Sequence, residues 1–454
     1  TGNDVTAQLK QLSINQIIEQ QGFRAMDKSW IGLRDLSLPP FNNNRWLDNN
    51  VHMFSTNILK RLKGNWETKL QLNVSDDQRI FEGSTQTSLY TFNDTINFSE
   101  QIRNSSGTRF LSGRITAEKN TDNAYYHIET KLEKEWATLE GRVLLGESTP
   151  DNIIQLVNNQ YTNLQNRVKI LLPFGNQIYS IKSFTNYSNV PQTLSVMPGQ
   201  FTELLNSGNE YSELLQNTTA SDFYQGSSLS FIKKLGNFNV KPEIGFQIRK
   251  QQLNSGISIV ENTELILDDS QFNNQLTFKQ ILGEATFKAS YKTQKMKLEL
   301  IPKLRYREFL RSDIELTLSQ KLRKLTFEPT LNFGSSIGKL CKLFYRSSVS
   351  NRFSTLEQLY FGYIISDYRN VARFNNPIAE LQTLRNSLRM NYRNPINATF
   401  ISLAYTNSTT RNNLLVVNSI SDVGFTTLTA IESVNHNDRN KVVVNASKHI
   451  DRLR

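Results

Sequence analysis

Apolar and polar residues alternate along most of the sequence after Val51, as they do in a β-strand, whose side chains point to opposite faces in turn. The segment MKLELIPKLRYR (296–307) shows this, with leucines on one face and mainly lysine, glutamate and arginine on the other. Segments 66–75, 238–250 and 325–333 repeat the pattern. The alternation predicts amphipathic strands of about ten to twelve residues.

Tight polar turns are predicted between many of these strands, where glycine, asparagine or lysine cluster. The turns are Lys63–Asn65, Asn120–Asn123, Pro173–Gln177, Leu235–Phe238, Lys292–Lys295, Ile337–Leu340 and Asn394–Asn397. Roughly 45 to 60 residues separate successive turns, enough for two strands and a connection rich in Asn, Ser and Thr. The sequence therefore predicts short turns on one side of an antiparallel sheet and long loops on the other.

Alternation alone does not show which face is wet, because a soluble β-sandwich alternates too. Three features favour a membrane protein: strands about twice the usual soluble length, connections that alternate between short and long, and full charges on one face of strand after strand. We predict an all-β fold, an antiparallel transmembrane β-barrel with a polar lumen. Residues 51–454 would form the barrel in about fifteen strands, after a loop-rich segment at residues 1–50.

Three prolines fall within the predicted strands, and each removes one hydrogen-bond donor from the ladder. We place Pro242, Pro302 and Pro329 near the barrel rims, where bulges occur, although Pro302 fits this placement least. The charged faces of two strands supply the predicted lumen-facing residues. These are Lys297, Glu299, Lys303, Arg305, Arg307, Lys241, Glu243 and Arg249.

Composition narrows the function classes. The formal net charge is +11, but the 52 basic residues are scattered among 41 acidic ones, a distribution that indicates a solvated or lumenal face and no nucleic-acid partner. Cys341 is the sole cysteine, and there are four histidines, so an internal disulfide and a multi-thiolate zinc site are excluded. No nucleotide, metal or nucleophile motif occurs. We predict no catalytic residue, no cofactor, no metal and no enzymatic activity.

Binding residues concentrate on loops that a rigid scaffold holds. The segment YFGYIISDYRNVARF (360–374) combines tyrosine with arginine, the residue types that most often anchor ligands or partners. The candidate contacting residues are Tyr360, Tyr363, Tyr368, Arg369 and Arg373. Two other interpretations stay open: these aromatic side chains form a girdle at the membrane interface, or they pack the loop against itself.

Five stretches in order resemble the outer-membrane β-barrels of Bacteroidota in the TonB-dependent receptor superfamily, in the branch that carries a carboxypeptidase-like regulatory domain. They are residues 39–62, 71–90, 184–201, 360–376 and 390–408. The resemblance implies a bacterial outer-membrane location, a barrel that has 22 strands in the family, and energised uptake through a plug. The family's plug and TonB box are not found before Thr1, and KVVVNASKHIDRLR does not match the family's terminal aromatic strand, so we expect part of a larger barrel.

The predicted function is therefore uptake or passage of a ligand across the outer membrane. One alternative is a structural subunit of an outer-membrane complex without transport. Another is a soluble all-β protein that binds glycans through its tyrosine-rich loops. The expected partners are outer-membrane lipid, a surface lipoprotein or other outer-membrane subunits, and TonB only if a plug lies upstream.

Overall fold

The computed structural model describes residues 30–34, 48–90, 95–121, 123–146, 151–175, 177–261, 264–266, 270–420 and 426–448. Most of the predicted loop-rich segment, residues 1–29 and 35–47, lies outside the described residues, and the first strand begins at Asp48. Within the described ranges, no helix has the length and hydropathy needed to cross a membrane.

The described chain is almost entirely β-strand, in agreement with the predicted all-β class. The first eight strands are β1 (Asp48–Leu62), β2 (Trp66–Tyr90), β3 (Thr95–Thr121), β4 (Ala124–Leu145), β5 (Asp151–Phe174), β6 (Gln177–Met197), β7 (Glu213–Leu235) and β8 (Phe238–Glu261). The next seven are β9 (Glu264–Ile266), β10 (Asn273–Lys292), β11 (Met296–Ile301), β12 (Lys303–Asp313), β13 (Leu318–Phe327), β14 (Thr330–Ile337) and β15 (Cys341–Phe353). The last five are β16 (Ile364–Ile365), β17 (Asn370–Ala372), β18 (Glu380–Asn394), β19 (Thr399–Ile420) and β20 (Thr426–Lys448).

Helical structure is confined to the connections of the described chain. The helix α1 (Thr202–Leu205) lies between β6 and β7. Two single 3₁₀ turns, Ser270–Phe272 and Leu356–Gln358, precede β10 and follow β15. None of these helical turns interrupts the sheet.

Successive long strands pair antiparallel with their neighbours in one sheet. The predicted tight turns are confirmed where every turn residue is described, for example between β1 and β2 at residues 63–65 and between β7 and β8 at residues 236–237, whereas residues 122 and 176 of two further turns lie outside the described residues. Gly64 and Gly236 adopt positive φ angles of 78° and 61° in these turns, a conformation that glycine reaches without a steric penalty.

The predicted strand length was too short. β2 has 25 residues and β3 has 27, because the Asn-, Ser- and Thr-rich stretches expected as loops continue the antiparallel ladder beyond the apolar part of each strand. Long connections remain at residues 198–212 and 354–379, whereas β12 and β13 are joined by residues 314–317 alone. Polar side chains do not end a strand whose backbone groups still have partners on a neighbouring strand.

The predicted position of the prolines near the rims was wrong. Pro242 pairs with Phe287, the Phe287 N–H donates to the Pro302 carbonyl at 3.1 Å, and the Val349 N–H donates to the Pro329 carbonyl at 3.1 Å. The residue pairs before and after Pro302 and Pro329 belong to one antiparallel register, so Pro302 lies opposite Pro329. All three prolines therefore lie on one row that crosses the sheet. The row needs no register shift, because each proline lacks a single donor while its carbonyl still accepts.

One face of the sheet carries an apolar belt. Along β11 and β12 it runs from Met296 to Tyr306, and Leu300 is 47% exposed within it. Beyond Tyr306 the same face turns charged at Glu308, which binds Lys321 and Arg323 at 2.8 Å. Eleven positions match the length of a β-strand that spans a membrane, about 9–11 residues. The proline row lies at the middle of this belt, which we call the outward belt.

The other face is concave. Arg369 binds Glu100 of β3, while the adjacent residue Asn370 pairs with Thr426 of β20. Through the ladder, β3 and β20 are twelve strand spacings apart, or roughly 58 Å in a flat sheet. The sheet therefore curves round until the loop-side ends of these strands approach each other, and we call the enclosed surface the lumenal face.

Candidate functional site: the lumenal face

The charged residues predicted to face the lumen lie on the lumenal face, opposite the outward belt. At mid-height they form a connected network. Arg305 binds Glu284 at 2.5 Å and Glu328 at 2.8 Å, and Arg307 binds the second oxygen of Glu328 at 2.8 Å. Lys303 reaches Glu284 at 3.8 Å. Because Arg307 and Glu328 are both buried, their pairing offsets the cost of taking the charges out of water.

The remaining predicted lumenal residues are also paired. Lys241 binds Glu243 at 2.6 Å, and Arg249 makes a two-pronged contact with the buried Asp222 at 2.8 and 2.7 Å. Lys297 lies 3.6 Å from Glu299, which Lys288 also binds at 2.9 Å. The middle of the lumenal face thus combines cations and carboxylates in near balance.

A long connection crosses the lumenal face at the loop end of the strands. We call residues 354–379, between β15 and β18, the strap. Its two ends are joined, because the Ser354 N–H donates to the Ala379 carbonyl at 3.0 Å. Buried strap residues such as Leu356, Leu359 and Ile365 pack with inward side chains of β5 to β10 in one apolar core. The chain itself therefore covers this part of the wall at the loop end of the lumen.

Amide side chains of the barrel wall hold the strap. Asn274 accepts hydrogen bonds from the N–H groups of Phe361 at 3.1 Å and Gly362 at 2.8 Å, and donates to the Gly362 carbonyl at 3.0 Å. Gln216 accepts from the Ile365 N–H at 3.1 Å. These wall amides satisfy backbone groups that would otherwise be buried without partners.

Other amide side chains of the wall also accept hydrogen bonds from backbone N–H groups. Gln155 accepts from the Tyr368 N–H at 3.1 Å. Gln192 accepts from the N–H groups of Trp30 and Ile31 at 3.0 and 3.1 Å, so a second segment, residues 30–34, crosses beside the strap. The two segments meet where the Gly32 N–H donates to the Ser366 carbonyl at 2.9 Å.

Glu100 of β3 makes the ion pairs that hold the strap to the wall. Its carboxylate is fully buried and binds Arg369 at 3.0 Å and Arg34 at 2.9 Å. It also accepts the hydroxyl of Tyr368. Burial, together with this carboxylate, raises the pKa of the Tyr368 hydroxyl, so the group stays neutral and donates. One acid thus fixes the strap and the segment 30–34 together.

The five residues predicted to contact a ligand or partner all belong to the strap. Tyr360, Tyr368 and Arg369 are buried, with partners inside the chain. The Arg373 guanidinium stacks over the ring of Tyr363, 5.0 Å from its centre, and both side chains are half-buried. Packing of the strap explains the burial of the first three, and contact with a ligand or partner stays a prediction for all five.

The wall amides were missed in the sequence, although a signal for them exists. Three of the four, all except Gln216, lie on the inward face between apolar neighbours two positions away, as Gln155 lies between Ile153 and Val157. Gln192 lies in the same way between Val190 and Leu194. A lone amide in an apolar inward row indicates a backbone that crosses the sheet face, because a buried amide needs partners.

Within the described residues, no group of three or more His, Cys, Asp and Glu side chains is placed to hold a metal ion. No protein-family model matches the sequence, and no curated protein matches it either.

Several solved structures are similar to this chain. The copper transporter OprC superposes with a TM-score of 0.51 at 9% identity, over 89% of this chain and 59% of OprC. The hemophore receptor HasR of Serratia marcescens, solved with its hemophore HasA and heme, gives 0.49 at 8% identity, over 90% of this chain and 62% of HasR. The alcaligin receptor FauA of Bordetella pertussis gives 0.44 at 10% identity, over 88% and 58%.

The likeness to OprC, at 9% identity, concerns the fold alone, which is that of a large antiparallel β-barrel. The chain spans 59% of OprC, about three fifths of its length.

Proposed function

We propose that this chain forms the barrel wall of a bacterial outer-membrane protein of the TonB-dependent receptor type, and that its lumenal face takes part in the uptake of a ligand. The observation that carries the proposal is the separation of two faces on the same strands. An eleven-position apolar belt lies outside, and a continuous charged network lies inside. Lipid on one side and water on the other account for both faces.

A pair of matched substitutions tests the membrane part of the proposal. Leu300→Arg places a charge in the middle of the outward belt and is expected to cost about 2–4 kcal/mol of insertion free energy. Ser348→Arg places the same charge on the lumenal face of β15 and is expected to have little effect. The measurement is the yield of detergent-extractable protein in outer-membrane fractions. Equal yields for the two variants would contradict a lipid-facing belt.

Passage of a ligand along this wall requires the strap to move, because the strap crosses the lumenal face at the loop end. We expect Glu100→Ala to release the strap and to raise the KCl conductance of the purified protein in planar bilayers. Glu82→Ala, which removes an exposed ion pair with Arg103 on β3, serves as the control.

The buried packing of the strap favours a second candidate, a non-transporting structural subunit. It predicts the same conductance for Glu100→Ala, Glu82→Ala and the wild type. In the first proposal the expected partners are outer-membrane lipid, a surface lipoprotein or other outer-membrane subunits, and TonB only if a plug lies upstream. Pull-down from solubilised outer membranes with the wild type and with Glu100→Ala tests whether they bind.

A further inference from the structure

A cavity of about 680 Å³ opens on the lumenal face at the turn end of β11, β14, β15 and β18. It lies at the opposite end of the lumen from the strap. Its volume is in the range of small-molecule sites, about 300–1,000 Å³. The strap and the mid-height charged network contribute no side chain to its lining, apart from Lys297 and Glu299.

The lining is strongly cationic. Six cations line it, Lys292, Lys295, Lys297, Lys342, Arg346 and Arg389, against the single acid Glu299. Glu299 is already occupied, since it binds Lys288 at 2.9 Å and accepts from Asn332 at 3.0 Å. Of the six, all except Lys297 have no ion-pair partner within the part of the chain that the structure describes. This differs from mid-height, where Arg305 and Arg307 are paired.

The strand register places the cations round the phenyl ring of Phe344. Phe344 of β15 pairs with Arg389 of β18 on one side and with Gly334 of β14 on the other. Arg346 and Lys342 flank Phe344 on the same face, about 7 Å away along the strand. The Phe344 ring lies over Gly334, where a Cβ atom would come within 3.3 Å of it. Glycine at 334 therefore lets the ring lie close to the wall, and the Phe344 side chain is 44% exposed.

We propose that this cavity binds a small polyanion that carries an aromatic ring. Arg346 and Arg389 present planar guanidinium groups that suit carboxylate or phosphate oxygens, and the lysines add charge round them. The exposed side of the Phe344 ring accepts an apolar ring, and Ser387 and Asn391 supply hydrogen bonds. That such a compound passes through the lumen rests on the proposed function, whereas the binding itself does not.

The test is isothermal titration of the purified protein in detergent with benzene-1,2,4,5-tetracarboxylate as the probe. We expect saturable binding that weakens as salt is raised. The double variant Arg346→Gln/Arg389→Gln should lose about tenfold or more in affinity, because two charge-assisted contacts disappear. Arg385→Gln is the matched control, since Arg385 is an exposed lumenal arginine two positions from Ser387 on the same strand and outside the cavity lining.

The ring contribution is tested separately with Phe344→Leu. This variant should bind the tetracarboxylate several-fold more weakly and should leave the affinity for citrate, a polyanion without a ring, unchanged. An equal loss in Arg385→Gln and in the double variant would overturn the site, because it would show a diffuse lumenal charge effect. Absence of saturable binding to the wild type would overturn it as well.

The two proposals fail in distinguishable ways. Binding is measured in detergent and needs no passage of the ligand. If Glu100→Ala has the conductance of the wild type, the transport proposal is contradicted and the proposed binding site is not affected. Conversely, conductance changes in Glu100→Ala without polyanion binding remove the site and leave transport.

Discussion

The loop-side and turn-side halves of the lumenal face are built on the same strands and differ in how their polar groups are satisfied. On the loop side, Gln155, Gln216 and Asn274 bind the backbone of the strap, and Glu100 binds two arginines. On the turn side, cations such as Arg346 and Arg389 line an open cavity. One half is completed by the protein, and the other presents unpaired charge to the lumen.

Water explains the difference. A polar group in a dry core costs free energy unless it has a partner, so the loop side needs an amide or an ion pair at each buried backbone group. A cation in a wet cavity keeps its hydration and needs no partner until a ligand arrives. Substitutions on the loop side should therefore change the free energy of unfolding, and substitutions on the turn side should change the affinity for a ligand.

The largest expected effect is that of Glu100→Ala. The change removes the buried carboxylate that binds Arg369, Arg34 and the Tyr368 hydroxyl. Loss of one member of a buried ion pair costs about 3–5 kcal/mol. The measurement is the free energy of unfolding in guanidinium with the protein in detergent. Glu82→Ala, which breaks an exposed pair, should cost at most about 1 kcal/mol.

The close approach of the strap to β10 is tested by Gly362→Ala. A Cβ atom at residue 362 would lie 2.3 Å from the Asn273 carbonyl oxygen, so the strap must shift away from β10. Overpacking of this kind costs about 1–3 kcal/mol. Faster proteolysis of the strap should report the shift. Gly107→Ala, with open space round residue 107, should leave the strap protected, and protection in both variants would contradict the contact.

A smaller effect is expected for Gln155→Ala, which leaves the Tyr368 N–H unpaired in the core. The expected loss is about 1–3 kcal/mol, felt as local opening. Hydrogen exchange of the segment 364–371 measures it. Gln160→Ala alters an exposed glutamine of the same strand and should not change that exchange. If both variants exchange alike, the wall amides do not hold the strap.

The smallest effect is a loss of stability in alkali. Because the pKa of Tyr368 is raised above its ordinary value of 10.0, the stabilisation is complete below pH 10 and is lost as the pH rises further. The loss should reach about 1 kcal/mol at pH 11. Unfolding midpoints between pH 8 and pH 11 should fall less in Tyr368→Phe than in the wild type. Tyr405→Phe, at an exposed tyrosine, should keep the wild-type profile.

The turns and the two faces could be predicted from the sequence, because both are local. Gly64 and Gly236 mark turns, and the alternation from Met296 to Tyr306 fixes the faces whatever the strands later pair with. The proline row could not be predicted in this way. Pro302 and Pro329 align only through the register of two strands, and each looks like a strand breaker on its own.

The strap could not be predicted because its contacts join residues far apart in sequence. Tyr368 and Glu100 are 268 residues apart, and Tyr368 and Gln155 are 213 apart. Tyr368 and Arg369 are of residue types that are common in ligand-binding loops. The same residue types also occur in buried packing, so the sequence does not separate the two. The strand lengths were underestimated for a related reason, because pairing in the third dimension extends polar segments that carry no apolar signal.

We infer that lipid covers one face of these strands and water the other. Spin labels placed singly along 296–306, in a Cys341→Ser background, measure it through their accessibility to oxygen and to a water-soluble nickel complex. Labels at 298, 300, 304 and 306 should favour oxygen, and labels at 297, 299, 303 and 305 should favour nickel. If labels at the even positions are shielded from both reagents, as in a soluble core, lipid does not cover this face.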